Sequence, residues 1–262
     1  MNIQELKDLQ PLVYQQFVTI LEQGRLAHAY LFSGDFASFE MALFLSQALF
    51  CQEKVGVHPC GKCRSCRLIE SNDFSDVTIV APQGNFIKTD TIRELVKNFS
   101  QSGFESSQQV FIIRDAEKMH VNAANSLLKV IEEPQSTIHI FLLTNQEEAV
   151  LPTIKSRTQI ISFPQNLPYL ERFLEEEGLL KTQASLIARL VSSQEEAKRL
   201  ATNKSFIDLL DQAKKFTELL LTDSNRAYLQ VGVLVPLAVE KAEQGRLFDV
   251  LSLLLAERLT EM

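Results

Sequence analysis

The spacing of apolar residues changes near residue 164, and this change divides the chain into two regions. Before that point, short continuous apolar runs alternate with helical patterns. The runs are rich in β-branched and aromatic residues and have too few polar positions for strands with one face in water, which indicates a parallel sheet covered by helices on both faces. The predicted strands are 29–32, 77–80, 110–113, 138–143 and 159–163.

Helical spacing fills the rest of the chain. The spacing predicts a helix over 3–23, helices between the strands at 36–50, 89–102 and 120–133, the last stopped by Pro134, and an almost wholly helical region after 167 with breaks at Gly178, Ser192-Ser193 and Asn203. We therefore expect an α/β domain over 1–164, a small helical lid-like domain over 165–203 and a further helical domain over 204–262.

Composition narrows the classes of function. The chain has 262 residues with a formal net charge of −7, and this acidic balance disfavours extensive wrapping of nucleic acid by this chain alone. No apolar stretch approaches the roughly 20 residues that a membrane span needs, and the amino-terminal segment has no apolar region typical of a secretory signal. We expect a cytoplasmic protein.

A strand, a turn and a helix resemble a phosphate-binding loop at residues 33–42, SGDFASFEMA. In a P-loop, backbone N–H groups and a lysine surround the phosphates while a hydroxyl holds Mg²⁺. Aligned on Gly34, this chain has Phe39 for the second glycine, Glu40 for the lysine and Met41 for the hydroxyl, and Asp35 adds a second carboxylate. Whether this is a former nucleotide site or a turn that never bound anything, we do not expect ATP to bind.

The segment 110–134 carries a second degenerate element. Asp115 follows a buried strand, as does the Mg²⁺-coordinating acid of a Walker B motif, but the next residue is Ala116 and the next acid, Glu117, is displaced by one position. We interpret Asp115 as a cap of the turn after the strand. Thr144 and Asn145 end a later strand, where an ATPase would sense the γ-phosphate, and here they are expected to satisfy local backbone groups.

Ser156-Arg157 precedes the last predicted strand. An arginine exposed at a sheet edge can project out of its own domain and stabilise a phosphoryl group that a neighbouring subunit holds. The alternative is an ordinary solvated surface charge.

The four cysteines of the chain lie within one short segment. Four thiolates can close a tetrahedral Zn²⁺ site without an open position, so this spacing predicts a structural metal, and Lys62, Arg64 and Arg67 would offset its negative charge. His58 could in principle replace one thiolate. The expected ligands are Cys51, Cys60, Cys63 and Cys66, within a module at about 51–66.

Together these residues resemble the delta-prime family of the bacterial DNA polymerase III clamp loader. The resemblance covers most of the first domain: RLAHAYLFSG (25–34), the cysteine module, FIIRDAEKMHVNAANSLLKVIEEP (111–134), FLLTN (141–145) and LPTIKSRTQ (151–159). It implies an AAA+ fold with an inserted zinc module, a helical lid and a carboxyl-terminal collar domain, for which the segment after 204 is short.

The resemblance also implies partners and roles. It implies a non-ATPase stator that joins tau/gamma ATPase subunits and a delta subunit, and that helps load a sliding clamp onto primed DNA as part of a nucleotidyltransferase holoenzyme. Arg157 would act in trans on a neighbouring tau/gamma ATP site with Ser156 as its motif partner, and Thr158 stands where the family usually has cysteine. The alternatives are an autonomous AAA+ ATPase with a divergent P-loop and a zinc-dependent nucleic-acid-binding module.

Overall fold

A computed structural model describes residues 3–99, 108–132 and 137–260. The chain forms two compact units, Met1–Gln165 and Asn166–Met262. Within the described ranges, no helix combines the length and the apolar character that crossing a membrane requires. The division into lid and collar domains stays a prediction.

The first unit contains a five-stranded sheet in the order β2-β3-β4-β1-β5, and all of its strand pairs are parallel. Its strands are β1 Ala29–Ser33, β2 Val77–Val80, β3 Gln108–Ile113, β4 Thr137–Thr144 and β5 Gln159–Ser162. This confirms the predicted parallel α/β sheet. The expected cover on both faces is wrong for β5, where Gln159, Ile160 and Ser162 are exposed because this strand forms an edge of the sheet.

Seven helices of the first unit lie in the part of the chain that the structure describes. They are α1 Ile3–Leu9, α2 Pro11–Glu22, α3 Ser38–Phe50, α4 Arg64–Glu70, α5 Thr89–Phe99, α6 Val121–Glu132 and α7 Pro152–Lys155. The single helix predicted over 3–23 is wrong, because Pro11 cannot donate a backbone hydrogen bond and disfavours helical geometry at the preceding residue. The predicted helix ends at 100–102 and 133, and the stop at Pro134, lie outside the described residues.

Alternate residues of the central strands point to two different cores. Tyr30, Phe32 and Phe141 lie on one face with Phe17 of α2, and the rings of Phe32 and Phe141 are 5.5 Å apart between centroids. The other face is mostly aliphatic, with Phe111 as its aromatic member, and packs against α5, α6 and α7. The central strands are thus packed on both faces of the sheet, and this packing holds the segments that follow them in place.

The second unit is helical, as the sequence predicted. Its helices are α8 Leu167–Glu176, α9 Lys181–Leu190, α10 Gln194–Ala201, α11 Lys204–Thr222, α12 Ser224–Leu234 and α13 Lys241–Thr260. Two of the predicted breaks are helix caps: the Ser193 hydroxyl accepts a hydrogen bond from the backbone N–H of Glu196, and the Asn203 side chain accepts one from that of Phe206.

Gly34 lies where β1 meets both of its neighbours. Its N–H donates to the carbonyl of Thr144 at 2.7 Å, and the N–H of Phe163 donates to Ser33 at 2.7 Å. Its φ is +113°, and a Cβ at this position would lie 2.3 Å from the carbonyl oxygen of Phe163. Glycine is therefore required here by the close approach of two chain segments, whatever the loop binds.

We predict that Gly34→Ala lowers the free energy of unfolding by about 2–4 kcal/mol, because it combines positive φ with a backbone clash. Urea denaturation measures this change. Gly24→Ala is the matched control, since Gly24 has a φ of +62° but open space around it, and its cost should be only about 1 kcal/mol. Equal costs for both variants would show that the clash is relieved without penalty.

Candidate functional site

The segment that resembles a phosphate-binding loop is filled by its own side chains. Phe36 is 2% exposed and Met41 is fully buried, so both point into the protein. Ala37 has a φ of 62°, which delays the start of α3 to Ser38, whereas the sequence predicted a helix from residue 36. Glu40 lies in the first turn of α3, where the helix dipole would otherwise favour a phosphate.

A buried glutamine that the sequence interpretation missed ties this loop down. Gln10 is 4% exposed and lies between α1 and α2. Its side-chain amide donates to the carbonyl of Phe36 at 2.8 Å and to the carbonyl of Pro164 at 2.7 Å. Both N–H groups of the amide are therefore used, and the loop is linked to the chain that follows β5. Pro11 could have indicated the helix break, but no local pattern predicts partners this distant in sequence.

Two further contacts cover the outer side of the loop. The guanidinium of Arg114 lies over the ring of Phe39, 4.8 Å from its centroid, in a cation–π arrangement. The side-chain amide of Asn145 donates to the Asp35 carboxylate at 3.2 Å. The residue that replaces the second glycine and the added acid of the rim thus have partners within the chain.

The Walker B-like acids also have partners. Asp115 has a φ of 50° and begins a short 3₁₀ turn, but its side chain makes no capping hydrogen bond and pairs with Lys118 at 3.5 Å. The expected side-chain cap is therefore wrong. Glu117 accepts a hydrogen bond of 2.6 Å from the hydroxyl of buried Thr144, which also accepts one from the backbone of Gln146. Thr144 thus does more than satisfy the backbone.

The groups around the loop are therefore bonded to one another. Four carboxylates lie at or near the carboxyl-terminal ends of the strands: Asp35, Glu40, Asp115 and Glu117. At the end of β4, Thr144 binds Glu117 and Asn145 binds Asp35. Arg114 and Lys118 also lie here, but Arg114 covers Phe39, Lys118 pairs with Asp115, and Glu40 stands at the position of the motif's lysine. This arrangement suits a rigid structural joint.

Arg157 lies on the surface, directly after α7 and before the edge strand. Its backbone N–H donates to Ile154 at 3.0 Å, which closes the turn. The guanidinium pairs through Nε with Glu132, and Nη1 donates to the carbonyl of Thr153 at 3.1 Å and to the hydroxyl of Ser156 at 3.2 Å. Its side chain remains 37% exposed. The predicted pair Ser156-Arg157 is thus joined by a hydrogen bond.

The loop lies at the carboxyl-terminal ends of the parallel strands, and the arginine lies at their amino-terminal ends. Ser162 of β5 pairs with Ser33, the residue before Gly34, and Gln159 pairs with Tyr30 at the other end of the strand. With a rise of about 3.3 Å per residue, β5 separates these levels by roughly 10 Å, and Arg157 precedes β5 by two residues. The contacts to Glu132 and Thr153 hold the guanidinium near the amino-terminal end of β5.

The four cysteines form one cluster. Cys51 follows α3, Cys63 and Cys66 lie at the start of and within α4, and Cys60 is in the loop between these helices. All four sulfurs lie within 4.8 Å of one another, and Cys51 Sγ and Cys63 Sγ are 3.9 Å apart. A tetrahedral site with Zn–S bonds of about 2.3 Å places its sulfurs about 3.8 Å apart, so the donor set can bind a metal ion. Among the described residues, His58 does not join this group.

Backbone N–H groups support anionic sulfur in this cluster. The N–H of Cys60 donates to Cys51 Sγ at 3.3 Å, and the N–H of Cys63 donates to Cys60 Sγ at 3.2 Å. Burial opposes ionisation of Cys63, but hydrogen bonds, the largest from the backbone of Cys66, outweigh it and lower its pKa to about 6. Burial raises the pKa of the Cys51 and Cys66 thiols, so without a cation the four sulfurs do not ionise together.

Several relatives match this chain. The family model described as "DNA polymerase III, delta subunit" matches residues 9–166. The DNA polymerase III subunit delta' of Bacillus subtilis is 35% identical over 254 residues, which are 95% of this chain and 77% of that protein. The delta' subunit of Escherichia coli is 30% identical over 193 residues, which are 72% of this chain and 58% of that protein.

The likeness extends to a second type of subunit and to a solved structure. The DNA polymerase III subunit gamma/tau of Mycobacterium bovis is 33% identical over 175 residues, 63% of this chain and 30% of that protein. A crystal structure of a DNA polymerase III gamma subunit-related protein from Thermotoga maritima has a TM-score of 0.52 at 24% identity, covering 90% of this chain and 76% of that one, and thus shares the fold. The motifs quoted above pointed to the same family, and the chain belongs to the delta-prime family of DNA polymerase III clamp-loader subunits, which act in DNA replication.

Proposed function

We propose that this chain is a non-ATPase stator of the bacterial DNA polymerase III clamp loader. It joins tau/gamma ATPase subunits and a delta subunit in the cytoplasm, and the assembled complex loads a sliding clamp onto primed DNA. Its own AAA+ domain contributes fixed geometry, and Arg157 reaches the ATP site of a neighbouring tau/gamma subunit. The observation that carries the proposal is that Arg157 lies at the amino-terminal end of β5, whereas the chain's own loop lies at the carboxyl-terminal end of β1.

This placement favours action in trans over action on the same chain. The guanidinium is held beside Glu132 and Thr153, at least the length of β5 away from Gly34. It is partly exposed next to an edge strand with exposed residues, where another subunit can approach. A planar, permanently charged guanidinium suits the charge that develops on a transferring phosphoryl group.

The loop supports the non-ATPase part of the proposal. Phe36 and Met41 are buried where a cradle would need space, and Gln10 fixes the loop to the chain after β5. Glu40 adds a negative charge at the start of α3. An autonomous ATPase would have to move these groups apart before its phosphates could reach the backbone.

The carboxyl-terminal helices support assembly into a ring. Tyr228 and Leu229 of α12 are 80% and 72% exposed, and Val239, before α13, is 73% exposed. Apolar residues concentrated in this way mark surfaces that other proteins cover. We assign them to contacts with the other clamp-loader subunits through a collar domain over 204–262, after a lid over 165–203.

We predict that Arg157→Ala slows ATP hydrolysis at the adjoining tau/gamma site by about 10²-fold or more, because the site loses its trans-acting positive charge. Single-turnover hydrolysis in the reconstituted complex measures this rate. Arg157→Lys is the matched variant: it retains the charge but not the planar fork, so most of the rate should still be lost. Unchanged turnover in a fully assembled Arg157→Ala complex would contradict the proposed role.

We predict that ATP with Mg²⁺ does not stabilise the isolated chain. A ligand at 100 times its dissociation constant stabilises a folded protein by about 2.7 kcal/mol, which corresponds to roughly 5–10 °C in the Tm of a chain this long. We expect a shift below about 1 °C at millimolar ATP by differential scanning calorimetry. A shift of several degrees would favour the autonomous ATPase.

We assign Zn²⁺ to the cysteine cluster as a structural ion, and we predict one zinc per chain. Cys63→Ser should lose it and lower the free energy of unfolding by at least about 3 kcal/mol, or roughly 6–12 °C in Tm, because the remaining thiolates cannot close the site. Metal analysis by mass spectrometry and thermal denaturation measure the two effects. His58→Ala should retain zinc, because His58 lies outside the cluster; full zinc occupancy in Cys63→Ser would exclude the four-cysteine site.

A further inference from the structure

We propose that Glu132 positions Arg157 for its neighbour's ATP, an inference that rests on the function proposed above. Glu132 is the last described residue of α6, and its carboxylate binds Nε of the guanidinium. Neither the motif resemblance nor the similarity to relatives assigns a role to this acid. It would act through Arg157 and without contact to the nucleotide.

The hydrogen bonds of the guanidinium are unevenly distributed. A guanidinium has five N–H donors in a fixed planar fork. Nε binds Glu132, and Nη1 binds the Thr153 carbonyl and the Ser156 hydroxyl. Within the described residues, Nη2 has no hydrogen-bond partner. The Nε and Nη1 groups are thus held by the protein itself. Among the described residues, the two N–H groups of Nη2 are the ones that can meet an external anion.

Buried residues lie next to both partners of this contact in the sequence. Ile131 precedes Glu132 and is 1% exposed, and Ile154 of α7 is fully buried in the same hydrophobic cluster. The Ser156 hydroxyl that binds Nη1 also lies within hydrogen-bond distance of the Thr153 carbonyl, at 3.2 Å. The partners of Arg157 therefore belong to packed elements, and an arginine held in this way loses little conformational freedom when it meets a phosphate.

The location of Glu132 also calls for a positive partner. A carboxylate at the last residue of a helix lies at the negative end of the helix dipole, which is unfavourable without a compensating charge. Arg157 supplies that charge, 25 residues away in sequence. The acid and the arginine therefore depend on each other, although both side chains remain partly exposed.

The test uses the reconstituted clamp loader with five forms of this chain: wild type, Glu132→Ala, Glu132→Gln, Arg157→Ala and the double variant with alanine at 132 and 157. Single-turnover hydrolysis at the adjoining tau/gamma site is the measurement. We expect Glu132→Ala to slow this step about tenfold, since a misplaced group costs up to about 10². Glu132→Gln keeps an oxygen acceptor and should recover most of the rate, and the double variant should be no slower than Arg157→Ala.

The matched control is Glu148→Ala. Glu148 lies before α7 and pairs at 3.6 Å with Lys155, the last residue of that helix. Within the described residues it has no hydrogen bond or ion pair with Arg157, so its removal should leave hydrolysis unchanged. Assembly is checked for every complex by light scattering. If Glu132→Ala assembles poorly, Glu132→Met, which has a similar length but no acceptor oxygen, takes its place in the same cycle, alone and combined with Arg157→Ala.

The outcomes separate the two proposals. If Arg157→Ala leaves hydrolysis unchanged, the trans-acting arginine itself is wrong. If Arg157→Ala is slow but Glu132→Ala matches wild type, Glu132 does not position the guanidinium. A faster Glu132→Ala would show that the carboxylate competes with phosphate, and additive losses in the double variant would show an independent role; both results overturn the inference.

Discussion

Parallel pairing of β1 with β4 and β5 is the constraint on which the rest of this molecule depends. Because these strands run in one direction, the loop that follows β1 lies at their carboxyl-terminal ends, and the turn that precedes β5 lies at their amino-terminal ends. The loop at Gly34 and the guanidinium of Arg157 are consequently separated within a single chain. The proposal that Arg157 acts on the ATP site of a neighbouring subunit rests on this separation.

The tight joint at the end of β1 accounts for features that a binding function would otherwise have to explain. Gly34 is needed because Phe163 approaches it closely. Gln10 satisfies the carbonyls of Phe36 and Pro164, and Asn145 and Thr144 bind acids that would have no metal to coordinate. These internal bonds give the turn its shape, and none of them needs a lysine at position 40.

The sequence predicted the parallel sheet, the clustering of the four cysteines and the surface arginine because each depends on local spacing. Buried strands appear as continuous apolar runs, and C-x2-C spacing brings sulfurs together within a few residues. The contacts of Gln10 span 26 and 154 residues, and Glu132 meets Arg157 across 25. No periodicity encodes such partners, since they follow from which strands are neighbours. The exposed face of β5 was missed because its apolar run resembles that of a central strand.

The ion pair of Glu132 with Arg157 adds little to the free energy of unfolding, so its effect must be sought elsewhere. Exposed ion pairs contribute about 0–1 kcal/mol, since water screens them and two long side chains must be ordered. Both side chains here are substantially exposed, at 47% and 37%. The fold therefore gains little from this pair, and its main physical effect is to fix the orientation of the guanidinium, whose Nε and Nη1 bind groups of the protein itself. For the proposed trans-acting role of Arg157, this orientation matters more than the strength of the bond.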